Sequence, residues 1–154
     1  MEINVYENGK QNVLLTNDYS PNHAMINEFQ TIFFLLKLKR IEIITEDLQG
    51  YAVDEEAQFI KLHVSIQNLT NEILSMYNED FSILFDKEGP FPAEEYFHVE
   101  KQFPNEYALK PNEEMHGCLV FIIARSAQKI CFQYTEYFDD ESEGKTYRLK
   151  YKIQ

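Results

Sequence analysis

The 154-residue chain has no tryptophan, only 5 glycines, 5 prolines and 2 cysteines, and 14 lysines and arginines in all. Each scarcity excludes something. Cys118 and Cys131 are too few for a disulfide framework. Glycine and proline form no tract, so no low-complexity segment or interdomain linker is visible. Fourteen bases against 26 acids leave a formal charge of −12. That charge opposes nucleic-acid binding, which needs bases to displace counterions from phosphates. It equally opposes adsorption to an anionic membrane surface. The uncharged stretches Phe29 to Leu36 and Gly117 to Ala124 fall well short of the ~20 residues that span a bilayer, so direct insertion is not expected. The first 30 residues hold no basic segment followed by an apolar one. Cytoplasmic residence is therefore the direct expectation.

Apolar residues make up 44% of the chain, and 12 Phe and 10 Tyr dominate the aromatic share. This is too apolar for disorder and calls for a packed core. The length fits one domain. Charge is uneven along it. Residues 51–100 carry 11 acids and 2 bases, while residues 101–154 carry 8 of each and end in the locally basic KTYRLKYK. The middle of the chain should form an acidic surface.

Period-two alternation is the dominant pattern. Ile60, Leu62, Val64 and Ile66 alternate with Lys61, His63, Ser65 and Gln67, the signature of a strand with one apolar and one wet face. Tyr147, Leu149, Tyr151 and Ile153 alternate with Thr146, Arg148, Lys150 and Lys152, giving a strand with a basic outer face. Ile130, Phe132 and Tyr134 repeat the theme, and the polar DDESEG joins 130–138 to 145–153 as a hairpin. Gly117 to Ala124 is apolar on both faces and reads as a central strand. Phe81 to Phe85 is a shorter strand. Leu36 to Ile44 is another, with a bulge expected near Arg40, where the alternation slips by one. Met25, Phe29, Ile32 and Leu36 after Ser20-Pro21 admit a short helix over 21–31. The fold class is all-β: an antiparallel sandwich of about seven strands over 36–154, with residues 1–35 as an extension packed on it.

Three segments, in order, give this reading a family context. FIKLHVSIQNLTNE is an aliphatic strand ending in Asn68. DFSILFDKEG holds Asp80, Phe81, Ile83 and Leu84, and closes at Gly89. LKPNEEMHGCLVF holds Leu109, Pro111, Asn112, Glu113, Gly117, Leu119 and Phe121. In these features the chain resembles the bacterial DUF4352 family of immunoglobulin-like domains. Asn112 stands where that pattern usually has glycine, and Asn tolerates the left-handed turn conformation nearly as well. The resemblance implies an immunoglobulin-like sandwich, no known catalytic residues, and an extracytoplasmic, often membrane-tethered setting.

Candidate chemistry is sparse. His23, His63, His98 and His116 show no metal-binding spacing. The His116-x-Cys118 pair lacks a third ligand of recognisable spacing, and none of the acid clusters matches a calcium loop. No metal or other cofactor is expected. If 117–124 and 130–138 paired as a hairpin across ARSAQ, Cys118 and Cys131 would lie on the order of 13 Å apart. A disulfide needs Cβ atoms ~3.5–4.5 Å apart, so both thiols should be free. Neither has a neighbouring His–Asp arrangement that would mark a nucleophile.

Residues 91–107 favour recognition. Phe91, Tyr96, Phe97, Phe103 and Tyr107 sit among polar residues and prolines. Sandwich loops are where binding is grafted, and aromatics are enriched at interfaces. The competing reading is that these rings close the end of the core. The function expected is a non-catalytic module of a bacterium or phage that recognises another protein, with a basic surface to suit the acidic middle segment. The alternative is a small hydrolase or metal-dependent enzyme on the same scaffold. Histidine, cysteine and carboxylates converging in a pocket would favour the enzyme; an exposed aromatic patch would favour the module.

Overall fold

The computed structural model describes residues 2–7, 10–17, 27–138 and 140–153, with side chains described from residue 27 onward. Twelve strands follow in order: β1 (Glu2–Glu7), β2 (Lys10–Asn17), β3 (Glu28–Gln30), β4 (Phe34–Ile44), β5 (Ala57–Asn68), β6 (Leu74–Tyr77), β7 (Phe81–Phe85), β8 (Glu88–Pro92), β9 (Glu106–Leu109), β10 (Glu114–Ala124), β11 (Lys129–Tyr137) and β12 (Glu143–Lys152). Helical structure among the described residues is one 3-10 turn, Asn78–Asp80. Ten strands join in the order β10-β5-β4-β1-β2-β12-β11-β7-β8, with β3 attached to β4, while β6 and β9 pair separately. All pairings are antiparallel except β1 with β4. β1 and β2 link the two halves of the sheet order.

The halves face each other across one core. Phe34 lies 6.2 Å from Phe81, and Phe121 meets Phe132 edge-on at 6.1 Å. Ile60, Leu62, Val64, Leu119, Phe121 and Phe132 all join one buried cluster. The apolar halves of the alternating strands therefore point inward, as period two requires. The expected bulge is present, because the β4–β5 register slips between Leu38 and Arg40. The β11–β12 hairpin pairs Phe132 with Leu149 and Tyr134 with Tyr147.

Four expectations change. The expected count of about seven strands becomes twelve, with β1, β2 and the short pieces β3, β6, β8 and β9 added. The strand at 117–124 does not pair with 130–138. β10 pairs with β5 while β11 pairs with β7 and β12, so the chain crosses from one layer to the other between them. Both cysteines are still free, now because they lie on different layers. The proposed helix over 21–31 reaches residues 28–31 as strand and turn; residues 21–26 lie outside the described residues. Thr31 Oγ1 accepts hydrogen bonds from the Phe33 and Phe34 amides at 2.9 and 3.0 Å, closing the β3–β4 turn. Phe29 then stacks on Tyr147 at 5.3 Å, a cross-layer contact that outweighs a weak helical period. Lastly, Lys61 is buried rather than on a wet face. Its ammonium lies 3.8 Å from Glu42.

The first and third of the quoted motifs meet at Asn68, which has no exposed surface. Its Nδ2 donates to the carbonyls of Glu72, Leu109 and Lys110 at 2.8–3.1 Å, and its Oδ1 accepts from the Thr70 amide and hydroxyl. The Asn112 amide donates to the Asn68 carbonyl at 3.1 Å. Asn112 adopts φ +63°, the left-handed conformation for which glycine or asparagine is suited.

Candidate functional site

β10 ends the sheet order, and an uncovered edge would present unpaired amides and carbonyls. Residues 93–103 cover it. The Glu94 amide donates to the Val120 carbonyl, the Cys118 amide to that of Lys101, and the Phe103 amide to that of Cys118, at 2.8–3.0 Å. Gly117 permits this approach, because a Cβ there would stand 2.8 Å from the Lys101 carbonyl oxygen. The same segment and the loop before β5 then roof the outer face of β4, β5 and β10. Ile44, Leu48, Phe59, Val99, Cys118 and Val120 form a second, smaller core there.

The two roofing loops are tied together. The Gln49 side chain donates to the His98 carbonyl at 3.0 Å and accepts from the Glu100 amide at 2.7 Å. Buried Gln102 donates to the Glu95 carbonyl and accepts from the Phe97 amide, and Asn105 Oδ1 accepts from the Tyr96 amide. Phe97 is half-buried, 6.3 Å from Phe59, and carries Tyr51 edge-on at 4.7 Å. Tyr51 and Tyr96 keep 47% and 41% of their surface exposed, so both rings are available on a rigid base. Residues 46–56 and 93–102 together carry eight acids and one base, Lys101. Burial and the neighbouring Glu95 push the Glu94 carboxyl above its usual range.

The five rings named from the sequence therefore separate. Phe103 is enclosed in the main core and stacks on Tyr107 at 5.2 Å. Tyr107 is half-buried, and its hydroxyl has no hydrogen-bond partner among the described residues. Those two close the core, so Phe103 has no surface to offer a partner. Phe91 is exposed on β8 and stacks on Phe85, while Tyr96 and Phe97 belong to the roof. Tyr51 is a member that sequence reasoning missed. It lies 46 residues from Phe97 in the chain and has no periodic neighbour to single it out.

Beneath the roof, cross-strand pairing sets Cys118 opposite His63, and His63 Nε2 lies 2.9 Å from Glu42 Oε1. Thiol, imidazole and carboxylate are neighbours, yet the thiol is enclosed. Cys118 has no exposed surface, its Sγ faces the Glu100 carbonyl at 3.8 Å, and burial pushes its pKa up to about 11. A thiol held protonated is a poor nucleophile. Burial also lowers the His63 pKa, against the opposing pull of its hydrogen bond to Glu42. Among the described residues no three His, Cys, Asp or Glu side chains gather as a metal site, and no helix is long and apolar enough to cross a membrane.

Fold and surface define a β-sandwich whose edge-covering loops display aromatic rings among carboxylates. Similar architecture occurs in solved bacterial structures. The chain matches ycdA, a candidate lipoprotein of Bacillus subtilis, with a TM-score of 0.61 at 13% identity over 82% of its length. It spans 38% of the ycdA chain. It matches the yjhA protein of the same organism with a TM-score of 0.55 at 13% identity, covering 73% of this chain and 81% of that one. An uncharacterised β-sandwich protein of Clostridium difficile matches with a TM-score of 0.51 at 12% identity over 85% of this chain and 92% of its own. At these identities the likeness is one of fold. No family model and no curated protein sequence matches the chain.

Proposed function

We propose that the chain is a non-catalytic, immunoglobulin-like recognition module of the DUF4352 type, and that the platform around Tyr51, Tyr96 and Phe97 binds a protein with a basic surface. The observation that carries this reading is the pair of exposed tyrosines on loops fixed by Gln49, Gln102 and Asn105. Tyrosine buries large area on binding at little rotamer cost, and preorganised loops lower the cost further. Eight carboxylates around the rings would steer a basic partner, with association slowing as salt shortens the Debye length. The enclosed Cys118 supports a non-catalytic role, as does a His63–Glu42 pair engaged with itself beneath the roof. The DUF4352 reading is supported by the three ordered motifs, the first and third of which meet at Asn68.

The test is affinity capture from lysate of a bacterial host at low salt, comparing the wild-type chain with a Tyr51→Ser/Tyr96→Ser variant. The variant should lose the captured protein while its melting temperature stays within a few degrees of wild type. Equal capture by both chains would remove the platform from consideration.

A further inference from the structure

The opposite face of the sandwich has the opposite charge. On β11 and β12 the core-facing residues are Phe132, Tyr134, Leu149 and Tyr151, so Cys131, Gln133, Arg148 and Lys150 point outward. Lys150 pairs across the ladder with Cys131, and Arg148 with Gln133. Leu84 of β7 continues the Cys131 row. Lys87 in the β7–β8 turn and Lys129 at the start of β11 complete a groove of about 820 Å³. Its one carboxylate, Asp86, is taken up by the Gln128 and Lys129 amides at 3.0–3.3 Å. Lys87, Arg148 and Lys150 have no ion-pair partner among the described residues. A chain of net charge −12 thus gathers four bases around one groove, and three of them have no ion-pair partner among the described residues.

We propose that this groove binds an extended acidic segment of a partner protein. Arg148 and Lys150 stand two residues apart on one strand face, a repeat of roughly 6.5–7 Å. An extended peptide with carboxylates at alternate positions has the same repeat, so successive acids meet successive bases. Leu84, Cys131 and Pro90 give the intervening side chains an apolar floor. The lining holds no aromatic ring on which a nucleobase could stack, which favours a peptide over a single-stranded nucleic acid. This surface lies on the layer opposite the tyrosine platform and does not depend on it.

The probe is a fluorescein-labelled seven-residue peptide alternating glutamate with alanine, titrated with the full chain at low salt and followed by anisotropy. Binding is expected, weakening as salt rises. Arg148→Glu/Lys150→Glu should weaken it by at least about tenfold. Lys87→Glu, on a different element, should weaken it in the same direction, and Lys150→Arg should retain it. Melting curves for each variant separate lost binding from lost fold. The proposal is overturned by equal affinity in wild type and a folded charge-reversal variant. It is also overturned if single-stranded DNA or phosphatidylglycerol vesicles bind this groove more tightly than the peptide. Self-association of the chain that the double variant abolishes would assign the groove to a second copy instead.

Discussion

Asn68 and Asp80 place polar groups inside the fold with opposite consequences. Every side-chain polar atom of Asn68 is matched, and replacing it takes the Oδ1 acceptor from the Thr70 amide and the Nδ2 donor from the Leu109 carbonyl, while the Lys110 carbonyl keeps the Glu113 amide and the Glu72 carbonyl keeps the Thr70 hydroxyl. Asn68→Ala should therefore cost about 2–4 kcal/mol in denaturant unfolding, since each buried unmatched group carries a penalty of ~1–3 kcal/mol. Asp80 is placed less comfortably. Burial first, and Glu79 second, raise its pKa from 3.8 to about 6. The folded state thus holds this proton more tightly than the unfolded chain, and stability is lost as pH rises from about 4 through 6. Asp80→Asn removes that loss. The variant should melt above wild type at pH 7 and alongside it near pH 3.5, and an advantage that persists at low pH would show a different cause.

At the scale of elements, the covered edge of β10 is the decisive feature. Adding a Cβ at Gly117 would press on the Lys101 carbonyl oxygen at 2.8 Å and on the Phe103 ring at 3.0 Å. Backbone cannot rotate away as a side chain can. Gly117→Ala should destabilise by roughly 1–3 kcal/mol, the range for overpacking, and should raise amide exchange in residues 93–103. Loosening of that segment would appear as a local rise in exchange before global unfolding. The same cover protects Cys118, whereas Cys131 is half-buried beside Lys150 and Arg148 on the open face. Thiol titration should count two free thiols per denatured chain. In native protein Cys131 should react first and Cys118 only with opening of the roof. Comparable rates for both would mean that the roof is not closed in solution.

The whole molecule carries its charge in two unlike faces, acidic over the roof and basic over the β11–β12 groove, within a net −12. Such an excess destabilises the compact state by self-repulsion, which salt screens. Raising sodium chloride from 10 to 300 mM should therefore raise the melting temperature, while weakening any partner held by either charged face. A melting temperature that falls with salt would mean that attractive pairs outweigh repulsion. Among the described residues ion pairs are few, Lys61–Glu42 and, only when the imidazole is protonated, His63–Glu42 and His116–Glu114, so repulsion should win.

Local pattern was enough for much of this fold. Period two in β5, β11 and β12 assigned their inward faces, and the slip near Arg40 located a bulge. Both follow from neighbouring residues alone, because side-chain alternation acts over a few residues, whereas the left-handed turn at Asn112 was implied by the family resemblance. Which strands pair is another matter. β10 and β11 are adjacent in sequence and read as a hairpin, yet they belong to opposite layers, with β10 paired to β5 and β11 to β7 and β12. Burial of Lys61, the division of the 91–107 rings between core and surface, and the meeting of Tyr51 with Phe97 likewise depend on what packs above a strand from a distant segment. Chain order does not encode that proximity, and long-range apolar burial decides it.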